Sequence, residues 1–198
     1  MNICLIGPHG AGKTTLGQLL APSLGASFRD EYGRTLREAW LSEDPDATAL
    51  RFDEAFDRAV IEGDLARDAE RWGPVCVMET WHPGNFAYAE VRSPEVARSF
   101  EARARRQVDA LVRRGLVVQP VTAAREVLIR RLSEPGGTPD ELVGFFESIA
   151  ARALAVAHRW GLTVLPVIDT GRASPEACAA MIRAQASATR AAFAESDS

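Results

Sequence analysis

Apolar residues fall along the chain in short continuous runs, and the longer segments between these runs carry apolar residues at helical spacing. The continuous runs predict five strands, over residues 2–6, 26–28, 74–78, 116–119 and 162–168. They are apolar almost throughout, which is typical of parallel strands covered on both faces. Strands that alternate with helices in this way predict an α/β fold built on a parallel sheet.

The segments between the runs predict amphipathic helices, because their apolar residues recur at i, i+3 and i+4. The clearest patterns contain Leu16, Leu19 and Leu20; Phe52, Ala55, Phe56, Ala59 and Val60, in a long helix ending near Trp72; and Val96, Phe100, Ala104, Val108 and Leu111. Two helix starts are also predicted, at TPDE (residues 138–141) and SPE (residues 174–176). Each combines an N-cap residue, a proline at the first helical position and an early glutamate.

Composition limits the class of protein. At 198 residues a single domain is the default, and we assign residues 1–194 to it and residues 195–198 to a disordered tail. The apolar runs are too short to span a membrane, and the first lacks the basic flank of a leader, so we expect a cytoplasmic protein. A net charge of −4 argues against a nucleic-acid partner. The three cysteines lack metal-binding or disulfide spacing, which predicts buried thiols.

The stretch GPHGAGKT at residues 7–14 fits the phosphate-loop (P-loop) pattern G-x-x-x-x-G-K-[ST], directly after a strand and before a helix. Glycines in such a loop let successive backbone N–H groups converge on a phosphate at the positive end of the helix. The motif predicts ATP and Mg²⁺ as cofactors, with Lys13 at the β- and γ-phosphates and Thr14 at the cation. The other predicted nucleotide contacts of the loop are Gly7, Pro8, His9, Gly10, Ala11, Gly12 and Thr15.

Lys13 is the only lysine of the chain, since every other residue among the 23 Lys and Arg is an arginine. A compact ammonium on a flexible stem can enter a phosphate cradle in which a planar guanidinium is bulkier. Without a second lysine the chain cannot carry the N-K-x-D guanine-binding motif of GTPases. The third predicted strand ends in the single acid Glu79, whereas ATPases that drive conformational work usually carry Asp-Glu there. These features argue against a GTPase and against an ATPase that drives conformational work.

Three further stretches follow predicted strands, namely DEYGR (residues 30–34), ETWHPGNFAYA (79–89) and VIDTGRASPEA (167–177). In this order they resemble segments of thymidylate-kinase-like and deoxynucleoside-kinase-like proteins and of bacterial ribosylnicotinamide kinase domains. The resemblance implies a P-loop sheet of strand order 2-3-1-4-5 with helices on both faces. It also implies Mg·ATP-dependent phosphoryl transfer to a nucleoside, a nucleotide or a similar metabolite.

The same resemblance implies roles for residues at the strand ends. Glu31 would act at the acceptor as a catalytic base or metal-water ligand, with Arg29 or Arg34 binding the acceptor. Glu79 would hold Mg²⁺ or serve as the base itself, and the choice between the two carboxylates stays open. A stacking wall for a planar ring could come from Trp81, Tyr88 and Trp40, although such aromatic residues also suit a core. The related kinases carry arginine after the strand-end acid, where this chain has Thr80.

Residues 122–141 resemble the arginine-bearing lid of these kinases, and we place the lid at about residues 125–139. Arg125 would contact ATP, and Arg130 would stabilise the charge that develops on the transferred phosphoryl group. Arg130 and Arg131 cannot both face one site, because adjacent helix positions diverge by about 100°. The alternative is a solvated basic helix face. By the same resemblance, Asp169 and Arg172 would lie at the adenine, although Asp169 could equally cap the following turn.

Two other functions remain open at this point. A regulatory P-loop NTPase would act through a protein partner, and a kinase of an antibiotic or specialised metabolite would use the same machinery on another acceptor. Homodimer formation is also left open.

Overall fold

The computed structural model describes residues 1–43, 53–69, 75–132 and 138–196. The strands in these ranges are β1 Asn2–Ile6, β2 Ser27–Arg29, β3 Cys76–Glu79, β4 Leu116–Thr122, β5 Thr163–Val164 and β6 Ile168–Asp169. The helices are α1 Lys13–Ser23, α2 Tyr32–Glu43, α3 Glu54–Asp68, α4 Trp81–Arg92, α5 Pro94–Val112, α6 Arg125–Arg131, α7 Pro139–Arg159 and α8 Pro175–Ser196. Phe52, Trp72, Pro74, residues 133–137 of the predicted lid and residues 197–198 lie outside the described residues.

The strands form one parallel sheet in the order β2-β3-β1-β4-β5, with β6 paired to β4 further along that strand. The predicted order 2-3-1-4-5 is confirmed. The predicted fifth strand over residues 162–168 is wrong in one respect, because it is divided into β5 and β6. Pro166 lies between the two and has no N–H to donate, and the side chain of Gln119 donates to its carbonyl oxygen at 2.9 Å.

Helices cover both faces of the sheet, and the strand residues alternate between them. Cys4 and Ile6 face one apolar cluster, which α3, α4, α5 and α7 complete. Ile3 and Leu5 face the other, which α1, α6 and α8 complete. The strands are therefore buried on both sides, which explains their continuous apolar sequences. The three cysteines are free and buried, as expected.

Both predicted helix starts are confirmed. At the start of α7, the Thr138 hydroxyl accepts from the Glu141 amide at 3.4 Å, and the Glu141 carboxylate accepts from the Thr138 amide at 3.2 Å. At the start of α8, the Ser174 hydroxyl accepts from the Ala177 amide at 3.3 Å. α8 continues to Ser196 and so includes two residues that we had assigned to the tail. Among the described residues, no helix has the length and apolarity that a membrane span needs.

Candidate functional site

The glycine-rich loop joins the carboxyl end of β1 to the start of α1. Gly7 has a φ of 155°, and a Cβ atom there would lie 2.1 Å from the carbonyl oxygen of Val121. Gly12 caps α1 with a φ of 84°, in the left-handed region that favours glycine. These two positions let the loop pass close to β4 and turn sharply into the helix. The helix N-terminus then contributes its positive dipole end to the loop.

Lys13 is the first residue of α1, and its side chain returns over the loop. The ammonium donates to the carbonyl oxygens of Gly7 at 2.9 Å and Pro8 at 3.2 Å. Lys13 is almost fully buried and lines a cavity of about 490 Å³. The one side-chain amine of the chain therefore lies at the loop, where a phosphate group would be bound.

A hydroxyl and a carboxylate meet beside this lysine. Thr14 lies in the first turn of α1, and its hydroxyl is 2.9 Å and 3.0 Å from the two carboxylate oxygens of Glu79, the last residue of β3. Burial raises the pKa of Glu79, against the lowering effect of the positive charges of Lys13 and Arg34. Mg²⁺ prefers oxygen ligands of these kinds, so the pair fits the predicted cation.

Arg34 completes this cluster from α2. Its guanidinium donates to the Thr14 hydroxyl at 3.0 Å and forms an ion pair with Glu79 at 2.8 Å. The same nitrogen lies 4.0 Å from the carboxylate of Glu31. The prediction placed Arg34 at the acceptor, whereas the structure places it first at Thr14 and Glu79.

Glu31, just before α2, is the second buried carboxylate of the site. It accepts a hydrogen bond from the Thr80 hydroxyl at 3.3 Å, and its other oxygen lies 3.9 Å from Nε2 of His9. Burial would raise the pKa of Glu31, but electrostatic interactions with His9, Lys13, Arg34 and Arg37 together lower it below its usual value. Glu31 is therefore ionised at neutral pH.

Two adjoining cavities share this carboxylate. The larger, which we call the donor cavity, has a volume of about 490 Å³ and is lined by the glycine-rich loop, Glu79, Arg131 and Thr170. The smaller, which we call the inner cleft, has a volume of about 30 Å³. Its lining comprises Gly33, Phe56, Asp57, Val60, Asn85, Tyr88, Arg92 and Phe146, together with His9, Glu31 and Arg37, which also line the donor cavity.

The turn that links Glu79 to α4 carries backbone strain. Thr80 has φ 65° and ψ −65°, and Trp81 has φ 43°. Residues other than glycine rarely adopt such values, and they concentrate at functional sites. Gly84 provides room for this turn, since a Cβ atom there would lie 2.3 Å from Cγ2 of Thr80. In the sequence analysis, Thr80 was treated only as the position at which related kinases carry arginine. In the structure its hydroxyl donates to Glu31. Its position directly after the strand-end acid Glu79 was the signal that could have identified it as a site residue.

Of the predicted lid arginines, Arg131 reaches the donor cavity. Its guanidinium donates to the Gly10 carbonyl at 3.3 Å and to the hydroxyl and carbonyl of Thr170 at 3.0 Å and 3.1 Å. Arg130 is exposed and is not part of the cavity lining, because the next position of a helix points about 100° away. Arg125 pairs with Asp140 and Glu147 of α7 instead of lining the cavity.

The loop after β6 lies at the far side of the donor cavity, but with other residues than predicted. Asp169 accepts from the Gly171 amide at 2.8 Å and pairs with Arg172 at 2.9 Å, so its carboxylate caps the turn. The Arg172 side chain is 85% exposed. Thr170 lines the cavity in their place, and its hydroxyl lies 3.0 Å from the Ala11 carbonyl oxygen.

Two predicted acceptor contacts lie elsewhere. Arg29 donates to the carbonyl oxygen of Arg67 at 2.8 Å. Trp81 is buried in the core, and its indole N–H donates to Asp68 at 3.1 Å. Tyr88 does line the inner cleft, where the guanidinium of Arg92 lies 4.8 Å from its ring centroid.

Strand, glycine-rich loop, helix-borne lysine and strand-end carboxylate together define a P-loop α/β protein with the strand order found in P-loop kinases. The sequence profile of the AAA_28 family, described as an AAA domain, matches residues 2–131. The chain belongs to this family.

Solved structures of similar fold include several small-molecule kinases. NadR in complex with NR has a TM-score of 0.65 at 16% identity, covering 94% of this chain and 51% of the NadR chain. Deoxyadenosine kinase from M. mycoides has a TM-score of 0.60 at 12% identity, covering 96% of this chain and 100% of the kinase. This chain thus spans about half of NadR and all of the kinase. These likenesses show the fold.

A short stretch of the sequence also matches a small-molecule kinase. A stretch of 29 residues is 69% identical to shikimate kinase from Methylococcus capsulatus, which corresponds to 15% of this chain and 16% of that enzyme. The shikimate kinase of Acinetobacter baumannii has a TM-score of 0.54 at 21% identity, covering 91% of this chain and 89% of that chain.

Proposed function

We propose that the protein transfers the γ-phosphoryl group of Mg·ATP to a hydroxyl group of a small molecule, with a nucleoside, a nucleotide or a similar metabolite as the acceptor. One observation carries the proposal. Glu31 is an ionised carboxylate on the edge shared by the donor cavity and the inner cleft. A base in that position can take the proton of an acceptor hydroxyl while the hydroxyl oxygen attacks a phosphoryl group.

On the donor side, the glycine-rich loop and Lys13 would bind the β- and γ-phosphates, and Thr14 and Glu79 would hold Mg²⁺. When bound, the cation neutralises charge on the phosphate oxygens. Glu79 is the better cation ligand of the two carboxylates, because the Thr14 hydroxyl contacts it directly. Glu31 is then left as the base.

Arg131, which lines the donor cavity together with Lys13, would bind the phosphate chain as a second cation. Its guanidinium already spans the loop residue Gly10 and the distal Thr170. A cation fixed in this place can stabilise negative charge on the transferred group without moving far.

The lining of the inner cleft suits an acceptor with a planar ring, and the cleft, at about 30 Å³, would have to widen to admit one. Phe56, Tyr88 and Phe146 supply aromatic surface, and the ring of Phe146 is stacked on His9 with a centroid distance of 4.0 Å. The guanidinium of Arg92 is paired with Asp57. Such a lining suits a ring-bearing alcohol, which favours a nucleoside among the acceptors considered.

The direct experiment incubates the purified protein with Mg·ATP and a panel of ribonucleosides, deoxyribonucleosides, nucleotides, nicotinamide riboside and shikimate. We expect ADP and a phosphorylated product in equal amounts with at least one acceptor. ADP with free phosphate at a rate independent of every acceptor would contradict the kinase proposal and favour a regulatory NTPase.

Arg131 and Arg130 form a matched pair for testing the donor cavity. We expect Arg131→Ala to lower kcat by roughly 10²-fold or more, because it removes a cation fixed beside the phosphates. Arg130→Ala, which changes the adjacent exposed residue, should keep kcat within about twofold of wild type. Steady-state kinetics with the best acceptor would measure both values of kcat. Equal losses in the two variants would contradict a specific role of Arg131, because they would show that any positive charge on α6 has the same effect.

A further inference from the structure

Arg34 belongs to α2, whose residues Gly33 and Arg37 line the inner cleft, but its guanidinium contacts Thr14 and Glu79 in the donor cavity. One guanidinium nitrogen, Nη2, bridges the Thr14 hydroxyl at 3.0 Å and the Glu79 carboxylate at 2.8 Å. These are the two protein oxygen groups that fit Mg²⁺ at this site. The Glu79 side chain is 2% exposed and that of Arg34 is 30% exposed, so a buried anion is paired with a side chain that reaches it from the cavity.

The guanidinium and a cation would compete for the same oxygens. Mg²⁺ binds its oxygen ligands at about 2.0–2.1 Å and requires near-octahedral geometry. A nitrogen in hydrogen-bond contact with both groups lies in the space between them where that ion would fit. The two positive charges would also repel each other strongly at such a distance.

A second carboxylate is available to the displaced side chain. Oε2 of Glu31 lies 4.0 Å from the same nitrogen, and both side chains line the donor cavity. A small rotation of Arg34 would bring it into hydrogen-bond contact with Glu31, on the edge shared with the inner cleft.

We infer that Arg34 is a positioning residue that neutralises Glu79 in the cation-free protein, is exchanged for Mg²⁺, and then pairs with Glu31 at the acceptor edge. This inference rests on the proposed use of Mg·ATP. Cation binding at Glu79 and the pairing of Arg34 with Glu31 would therefore occur together. It also means that Mg²⁺ alone must compete with an arginine that belongs to the protein.

The experiment measures Mg²⁺ binding to the nucleotide-free protein, by titration calorimetry and by the shift of the thermal unfolding midpoint. Wild type is expected to bind Mg²⁺ weakly and to show little shift. Arg34→Met should unfold at a lower temperature without Mg²⁺, because a buried carboxylate has lost its partner. The same variant should bind Mg²⁺ at least about tenfold more tightly than wild type, with Mg²⁺ restoring its unfolding midpoint.

Two controls make the result specific. Arg37→Met removes another arginine of α2 that lines the same cavity, and it should keep the wild-type Mg²⁺ affinity. The double variant Arg34→Met/Glu79→Gln should lose the gain in affinity. If Arg34→Met does not fold, Arg34→Gln provides the same comparison, because it keeps hydrogen-bond donors but removes the charge.

Equal Mg²⁺ affinity in wild type and the Arg34 variant would overturn the inference, as would an equal gain in Arg37→Met. The assay contains neither nucleotide nor acceptor. A protein that proved unable to transfer phosphate would therefore leave this result unaffected, and the two proposals can fail separately.

Discussion

Lys13→Ala is expected to lower kcat/KM for phosphoryl transfer by about 10³-fold or more, because it removes the only ammonium at the phosphate loop. In a water-excluded site, a fixed charge on a transferring phosphoryl group contributes several kcal/mol to the transition state. Lys13→Arg tests the shape of the cation, and we expect it to recover only a small part of the loss. A planar guanidinium cannot make the two short contacts to the Gly7 and Pro8 carbonyls from the same position.

Steady-state kinetics with the best acceptor would measure these rates, and circular dichroism would establish that each variant is folded. Arg172→Ala is the matched control, since it removes an exposed positive charge outside the donor-cavity lining. A Lys13→Ala protein with more than about a tenth of wild-type kcat/KM would contradict the assigned role, because that corresponds to a loss of less than about 1.4 kcal/mol.

Glu31→Gln is expected to lower kcat by about 10²- to 10⁴-fold while leaving the affinity for Mg·ATP close to wild type. The amide keeps the size of the side chain but cannot accept the acceptor proton. Glu79→Gln should behave differently, because it weakens the cation site: the Mg²⁺ concentration needed for half-maximal rate should rise. Nucleotide binding would be followed by calorimetry and turnover by product formation.

The opposite pattern would exchange the two roles. If Glu79→Gln lost turnover with an unchanged Mg²⁺ requirement, and Glu31→Gln instead raised that requirement, Glu79 would be the base. A third pattern, in which Glu31→Gln keeps full kcat, would leave the inner cleft without a base and contradict the proposed site.

The sheet and the phosphate loop could be predicted because their signals are local in the sequence. The glycine and lysine spacing of residues 7–14 determines the loop, and continuous apolar runs determine strands that are buried on both faces. The division of the last strand was missed because the prediction followed the apolar pattern alone. Pro166, which has no N–H to donate to the sheet, was the local signal of the interruption.

Side-chain direction was harder to predict than element order. The choice between Arg130 and Arg131 depends on the rotation of α6 about its axis. That rotation is set by tertiary packing, which buries Leu128 in the core. Arg34 was correctly associated with the strand ends but not with the cation ligands, because two carboxylates compete for it. Trp81 was left open between a stacking wall for the acceptor and a core residue, and the structure places its indole in the core, where it donates to Asp68.

The single lysine also gives the chain a built-in chemical label. Apart from the α-amino group, Lys13 is the only amine of the chain that an acylating reagent can modify, and it lies inside the donor cavity with contacts to two loop carbonyls. The mass of one peptide would therefore report how far that cavity is filled. Candidate nucleotides could be ranked in this way before any acceptor is known.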